Sequence, residues 1–92
     1  MSKIILITGS NRGLGKATGI ELCKKGHTVI FTYRNIKNLD QVKKETKNYN
    51  ADFYELDVLD INSIKKLKLN LEKKYQHIDT LINNAGILND RN

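Results

Sequence analysis

Thr8-Gly9-Ser10-Asn11-Arg12-Gly13-Leu14-Gly15 is the stretch whose reading decides the fold. The apolar run Ile4-Ile5-Leu6-Ile7 precedes it, and a helix-like segment continuing from Lys16 to Lys25 follows it. Strand, glycine turn and helix in that order form the layout that binds a nucleotide pyrophosphate. The glycines let the backbone turn tightly and come close to phosphate oxygens. The free N–H groups and positive dipole end of the new helix then face the anion. A glycine pattern alone says little; its flanks give this one its meaning. A second motif, Asn83-Asn84-Ala85-Gly86, stands where a fourth strand should end.

Outward from the glycine turn, the chain reads β-α-β-α-β-α-β. Lys3–Thr8 is a continuous apolar run, as expected of a strand buried on both faces of a parallel sheet. Leu14–Lys25 reads as a helix with Leu14, Ala17, Ile20, Leu22 and Cys23 as its apolar positions, stopped by Gly26. Thr28–Tyr33 is β-branched and aromatic and forms strand two. Leu39–Lys47 is a polar helix expected on the surface, and Ala51–Leu56 is strand three. Asp60 or Asn62 caps a third helix, along which Ile61, Ile64, Leu67, Leu71 and Tyr75 recur on one face while Leu69 falls off it. Ile78–Ile82 is strand four.

Alternating strands and helices with short connections predict a Rossmann-like α/β fold: a parallel sheet of strand order 3-2-1-4 with three helices. Right-handed crossovers put the first two helices on one face and the third on the other. Strand one then lies beside strand four, and ligands bind in the crevice at that topological switch point. Both motifs converge there from opposite ends of the chain. Strand four is left as an exposed edge, and self-association through it is an expected partner mode.

Ninety-two residues make one small domain at most, here a single partial dinucleotide-binding domain over 1–92. The net charge of +6 comes mostly from lysines spread over three predicted helices without interleaved aromatics. That is the pattern of solvated helix faces, so no nucleic-acid partner is expected. The single cysteine, Cys23, excludes an intrachain disulfide and a cysteine-rich zinc site, and it is expected to pack in the first helix. His27 and His77 have no companion ligand at metal spacing, so no metal site is expected. No apolar run is long enough to span a membrane, and a cytoplasmic protein is expected.

The glycine motif, Asp57-Val58 after strand three and Asn83-Asn84-Ala85-Gly86 after strand four together resemble the short-chain dehydrogenase/reductase family, in particular its carbonyl-reductase type. The resemblance covers nearly the whole chain, but only the first half or less of a family domain. It implies oxidoreductase chemistry, hydride transfer between NADPH and a carbonyl or alcohol. It also implies a cofactor site made of Gly9, Ser10, Asn11, Arg12, Gly13, Leu14, Gly15, Arg34, Asp57, Val58, Asn83, Asn84, Ala85 and Gly86. Ser10 and Asn11 are short polar residues able to bond phosphate or ribose. Asp57 would accept from the adenine amine; an Asp at such a turn is also common without a ligand. Asn83 and Asn84 would tie strand four to its neighbour and border the nicotinamide-side ribose, with Ala85 and Gly86 leaving room for the cofactor.

The end of strand two distinguishes the dinucleotides. An NAD-selective site places an acid about 20 residues after the glycine turn. Here the region reads Thr32-Tyr33-Arg34-Asn35, and the Arg34 guanidinium suits a 2′-phosphate. With Arg12 as a second basic residue, the expectation is NADP(H) over NAD(H). The family's catalytic Ser and Tyr-x-x-x-Lys would follow strand four, and nothing there matches them. Tyr33 and Lys37 have the spacing but lie at the adenosine side. No catalytic residue is therefore assigned. The chain is expected to be inactive alone, with a free-standing dinucleotide- or partner-binding module as the alternative reading.

Overall fold

The computed structural model describes residues 2–10 and 12–84. Its elements follow in the order β1 (Ile4–Ile7), α1 (Gly13–Lys24), β2 (Thr28–Tyr33), α2 (Leu39–Glu45), β3 (Ala51–Glu55), α3 (Ile61–Lys74) and β4 (Thr80–Ile82). All strand pairs are parallel, and the order across the sheet is β3-β2-β1-β4. This is the Rossmann-like order expected from the alternation of elements. Strands pair in step: Ile5 lies between Val29 and Thr80, and Ile7 between Phe31 and Ile82.

Because side chains alternate along a strand, β1, β2 and β3 each feed two cores. Ile5, Ile7, Val29 and Phe31 meet Cys23 of α1 and Val42 of α2 on one face, where Phe31 stacks on Phe53 with centroids 5.1 Å apart. Ile30 and Leu56 meet Leu67 and Leu71 of α3 on the other. The β1 and β2 runs read as continuous apolar sequence because both faces are covered there.

Three helix faces differ from their sequence reading. In α1, Leu14 and Ala17 point to solvent, and the buried ridge is Gly15, Gly19 and Cys23. The Phe31 ring explains this. A Cβ placed on Gly19 would fall 2.8 Å from the ring Cζ and closer still to its Cε2, so only a bare backbone packs there. In α2, Leu39 and Val42 are buried, so this helix is anchored rather than merely superficial. In α3, Ile61 and Ile64 stay exposed, because the helix docks through its middle, Leu67 and Leu71.

The helix ends follow local chemistry. Asp60 caps α3 by accepting from the Asn62 amide at 2.9 Å, which selects it over Asn62 as the cap. Gly26 takes φ 93° after α1 and donates to the Cys23 carbonyl, a left-handed exit open to glycine. Among the described residues, no helix is long and apolar enough to cross a membrane.

Candidate functional site

The C-terminal ends of β1, β2, β3 and β4 meet in one region, and the chain's two motifs are bonded together there. The Thr8 amide donates to the Ile82 carbonyl at 3.0 Å. The Thr8 hydroxyl accepts from the Asn84 amide at 2.7 Å and donates to Asn83 Oδ1 at 2.9 Å. Asn84 Nδ2 donates to the Gly9 carbonyl at 3.2 Å. Residues 75 positions apart thus lock the glycine turn against the end of β4.

A second bracket ties the same turn to β2. The Ser10 hydroxyl donates to the Ile7 carbonyl and accepts from the Thr32 amide, both at 2.8 Å. The Ser10 amide donates to the Thr32 carbonyl at 3.0 Å. The Thr32 hydroxyl accepts from the Gly9 amide at 3.0 Å and donates to the Ile7 carbonyl at 3.1 Å. Both residues are fully buried. Each such bond contributes roughly 1 kcal/mol net, and a buried donor left unpaired costs more. Ser10 therefore spends its hydroxyl inside the protein, which departs from its sequence reading as a phosphate or ribose ligand. Thr8 and Thr32 are the structural residues that sequence reasoning missed; a hydroxyl inside a β-branched run carries no signal that it faces a turn.

The turn itself is shaped for close approach. Gly9 and Gly13 adopt φ 59° and 63°, the left-handed region that favours glycine. Among the described residues, nothing lies within 4 Å of where a Gly13 Cβ would project. At Gly15 the reverse holds. A Cβ there would stand 2.7 Å from the Gly9 carbonyl oxygen and nearer still to Asn84 Nδ2. One glycine opens the turn outward, and the other lets α1 pack tightly behind it.

Helix α1 begins with Arg12 in extended backbone, without a side-chain cap from that residue and without an acid in the first turn. By contrast, α3 carries the Asp60 cap and α2 has Asp40 in its first turn. The positive end of α1, behind an open glycine turn, is suited to an anion. Leu14 lies exposed beside it. The donors, the bare glycine backbone and the helix dipole fit a dinucleotide pyrophosphate.

Along the strand ends, Arg12 and Arg34 are exposed. Arg34 follows β2 directly and lines a cavity of about 310 Å³ together with Glu55, Asp57 and residues at the start of α3. Asp57 Oδ1 accepts from the Leu59 amide at 3.0 Å, and the Asp57 amide donates to Ser63 Oγ at 2.9 Å. Its carboxylate thus shapes the turn in any case. Val58 packs against the α3-side core. Asn11, Ala85 and Gly86, also read as site residues, lie outside the described residues. Tyr33 and Lys37 stay at the β2 end of the sheet, away from β4.

Other polar residues have structural work. His27 Nδ1 accepts from the Lys3 amide at 3.0 Å. Asp79 accepts from the Ile4 amide at 2.8 Å and pairs with His77 at 3.3 Å, joining the start of β4 to β1. Burial pushes the Cys23 thiol up to about 11, so it remains a protonated core residue at neutral pH. Among the described residues there is no cluster of three His, Cys, Asp or Glu able to hold a metal.

A family model described as short chain dehydrogenase matches residues 3–92. The chain is 41% identical over 90 residues to the 3-oxoacyl-(acyl-carrier-protein) reductase FabG of Thermotoga maritima, covering 96% of this chain and 37% of that protein. It is 31% identical over 90 residues to retinol dehydrogenase 13 of Homo sapiens, covering 94% of this chain and 27% of that protein. A crystal structure of a metagenomic short-chain oxidoreductase in complex with NADP matches with a TM-score of 0.84 and 26% identity, over 92% of this chain and 39% of that one. The chain therefore spans well under half the length of these relatives.

Proposed function

Because the chain belongs to the short-chain dehydrogenase/reductase family, we propose that it is the NADP(H)-binding portion of an oxidoreductase, a single partial domain over residues 1–92. One observation carries this reading: the glycine turn at the bare end of α1 is hydrogen-bonded to Asn83 and Asn84 at the switch point between β1 and β4. In an open α/β sheet that crevice is where ligands bind.

Each residue has a part in holding the dinucleotide. Asn11, Gly13 and Gly15 at the start of α1 receive the pyrophosphate, with the dipole of α1 behind it, and Gly9, whose amide and carbonyl are bonded to Thr32 and Asn84, lets the turn form. Leu14 covers the cofactor from the turn. Arg34 and Arg12 pair with the 2′-phosphate, where a planar guanidinium gives two parallel bonds. Asp57 and Val58 flank the adenine. Asn83, Asn84, Ala85 and Gly86 border the nicotinamide-side ribose. Ser10 acts through the turn, which it fixes to Thr32. When bound, the nicotinamide supplies or accepts a hydride at a carbonyl or alcohol carbon. The 92 residues contain no Ser and Tyr-x-x-x-Lys set placed at the β4 end, so the chain alone binds without turnover. The relatives named above include a 3-oxoacyl-(acyl-carrier-protein) reductase and a retinol dehydrogenase, and no substrate is assigned. A cytoplasmic setting and self-association along the β4 edge complete the proposal.

Calorimetric titration of the purified chain with NADPH and with NADH tests it. Saturable binding that favours NADPH is expected. Arg34→Ala should weaken NADPH by about tenfold, the loss of one charge-assisted pair of about 1.4 kcal/mol, and leave NADH unchanged. An absence of binding to either would show that the motifs no longer form a working site.

A further inference from the structure

The cavity beside Arg34 contains a second cation that the family motifs do not mark. Lys66, from the second turn of α3, lines it opposite the strand ends, with Glu55, Asp57 and Asp60 as the acids around it. Among the described residues, neither Arg34 nor Lys66 forms an ion pair, although three carboxylates share their cavity. Two of those carboxylates are held by the backbone: Asp57 accepts from the Leu59 amide and Asp60 from the Asn62 amide. Glu55 is different. It pairs in register with Tyr33, the residue before Arg34, and its exposed carboxylate has no ion-pair partner among the described residues.

We propose that Lys66 is a further specificity-determining cation for the 2′-phosphate of NADP(H), beside Arg34 and Arg12, and that Glu55 opposes it. The inference rests on the function proposed above and names further residues of that same site. Arg34 reaches the phosphate from the sheet, and Lys66 reaches it from the helix across the cavity. A phosphate dianion between two unpaired cations is favoured by both. Glu55, a neighbour of Arg34, repels it and tempers the preference for the phosphorylated cofactor. Lys66 is solvent-exposed, so its pull is screened by salt.

The test is titration of the wild-type chain, Lys66→Met and Glu55→Gln with NADPH, NADH, adenosine 2′,5′-bisphosphate and 5′-AMP, at low and high salt. Lys66→Met should weaken NADPH and the bisphosphate by about fivefold, the upper range for an exposed ion pair. It should leave NADH and 5′-AMP unchanged, and the loss should shrink as salt rises. Glu55→Gln should shift the same two ligands in the opposite direction. Thermal unfolding of both variants should match wild type, because both side chains are exposed. If wild type prefers NADPH while Lys66→Met leaves that preference intact, or weakens all four ligands alike, the assignment of Lys66 is overturned and the cofactor reading stands. Wild type that binds none of the four overturns both.

Discussion

The two faces of the sheet are built from the same strands and finish differently. On the face of α1 and α2, Ile7, Val29, Phe31 and Val42 have no exposed surface, and α1 lies so close that Gly19 touches the Phe31 ring. On the face of α3, Leu67 and Leu71 are buried, but Ile64 and Leu81 are open to solvent. A groove of about 310 Å³ runs there between Leu6, Ile64, Leu71, Tyr75 and Ile78. One helix covers four strands on this side, and two helices cover them on the other. The glycine turn is braced by the finished face: Gly15 and Gly19 belong to one buried ridge of α1. The proposed dinucleotide site can therefore be held rigid even while the opposite face remains open.

Deletion in each core should show the difference. Phe31→Ala removes a ring enclosed by Gly19 and stacked on Phe53. The expected loss is about 4 kcal/mol, read from urea unfolding. For a domain of this size that approaches the whole stability, and the urea midpoint of the variant should fall close to zero denaturant. A loss below about 2 kcal/mol would mean that α1 can settle into the space and that the close face is not rigid.

Leu67→Ala removes one of the two buried leucines that anchor α3. It should cost less, about 2 kcal/mol, at the low end for such a deletion. Its surroundings border an open groove, where water and neighbouring side chains can occupy part of the vacated volume. Equal losses for the two variants, corrected for side-chain size, would show that the α3 face is as tightly packed in solution as the α1 face.

The same asymmetry explains what could be read from sequence. The strands were legible because β1 and β2 are apolar at successive positions, a signature of burial on both sides. The strand order followed from connection rules alone. The packed face of α1 was legible only in part: Ile20, Leu22 and Cys23 pack on the core as expected, but the closest approach is made by Gly15 and Gly19, to which hydrophobic periodicity gives no weight. The solvent exposure of Ile61 and Ile64 was hidden for the opposite reason: a regular apolar stripe marks what a helix could bury, whereas coverage depends on what lies opposite. At the site, the glycine and asparagine motifs stood out by spacing. The Ser10–Thr32 bracket did not, because its hydroxyls come together only through the pairing of β1 with β2. Asp52 shows the same limit. It lies on β3, where it accepts from the Tyr75 hydroxyl and pairs with Lys74 at 2.7 Å, fixing the end of α3 to the sheet. That pairing raises the Lys74 ammonium pKa through the Asp52 hydrogen bond and charge.

The smallest effect is expected where the two faces differ most. Leu81 sits on β4, at the sheet edge, and 61% of its surface is exposed. As a side chain this exposed among the described residues, it should be replaceable. Leu81→Ser should change the unfolding free energy by no more than about 0.5 kcal/mol, the usual range for a surface substitution. The paired measurement is sedimentation over a range of protein concentrations. If the edge recruits a second copy, wild type associates as concentration rises and Leu81→Ser does not, because apolar area at an open edge drives such pairing. A monomeric wild type with an unaffected variant would leave the edge exposed and inert. A loss of about 2 kcal/mol in a strictly monomeric chain would contradict the comparison itself, since only a covered leucine loses that much on deletion.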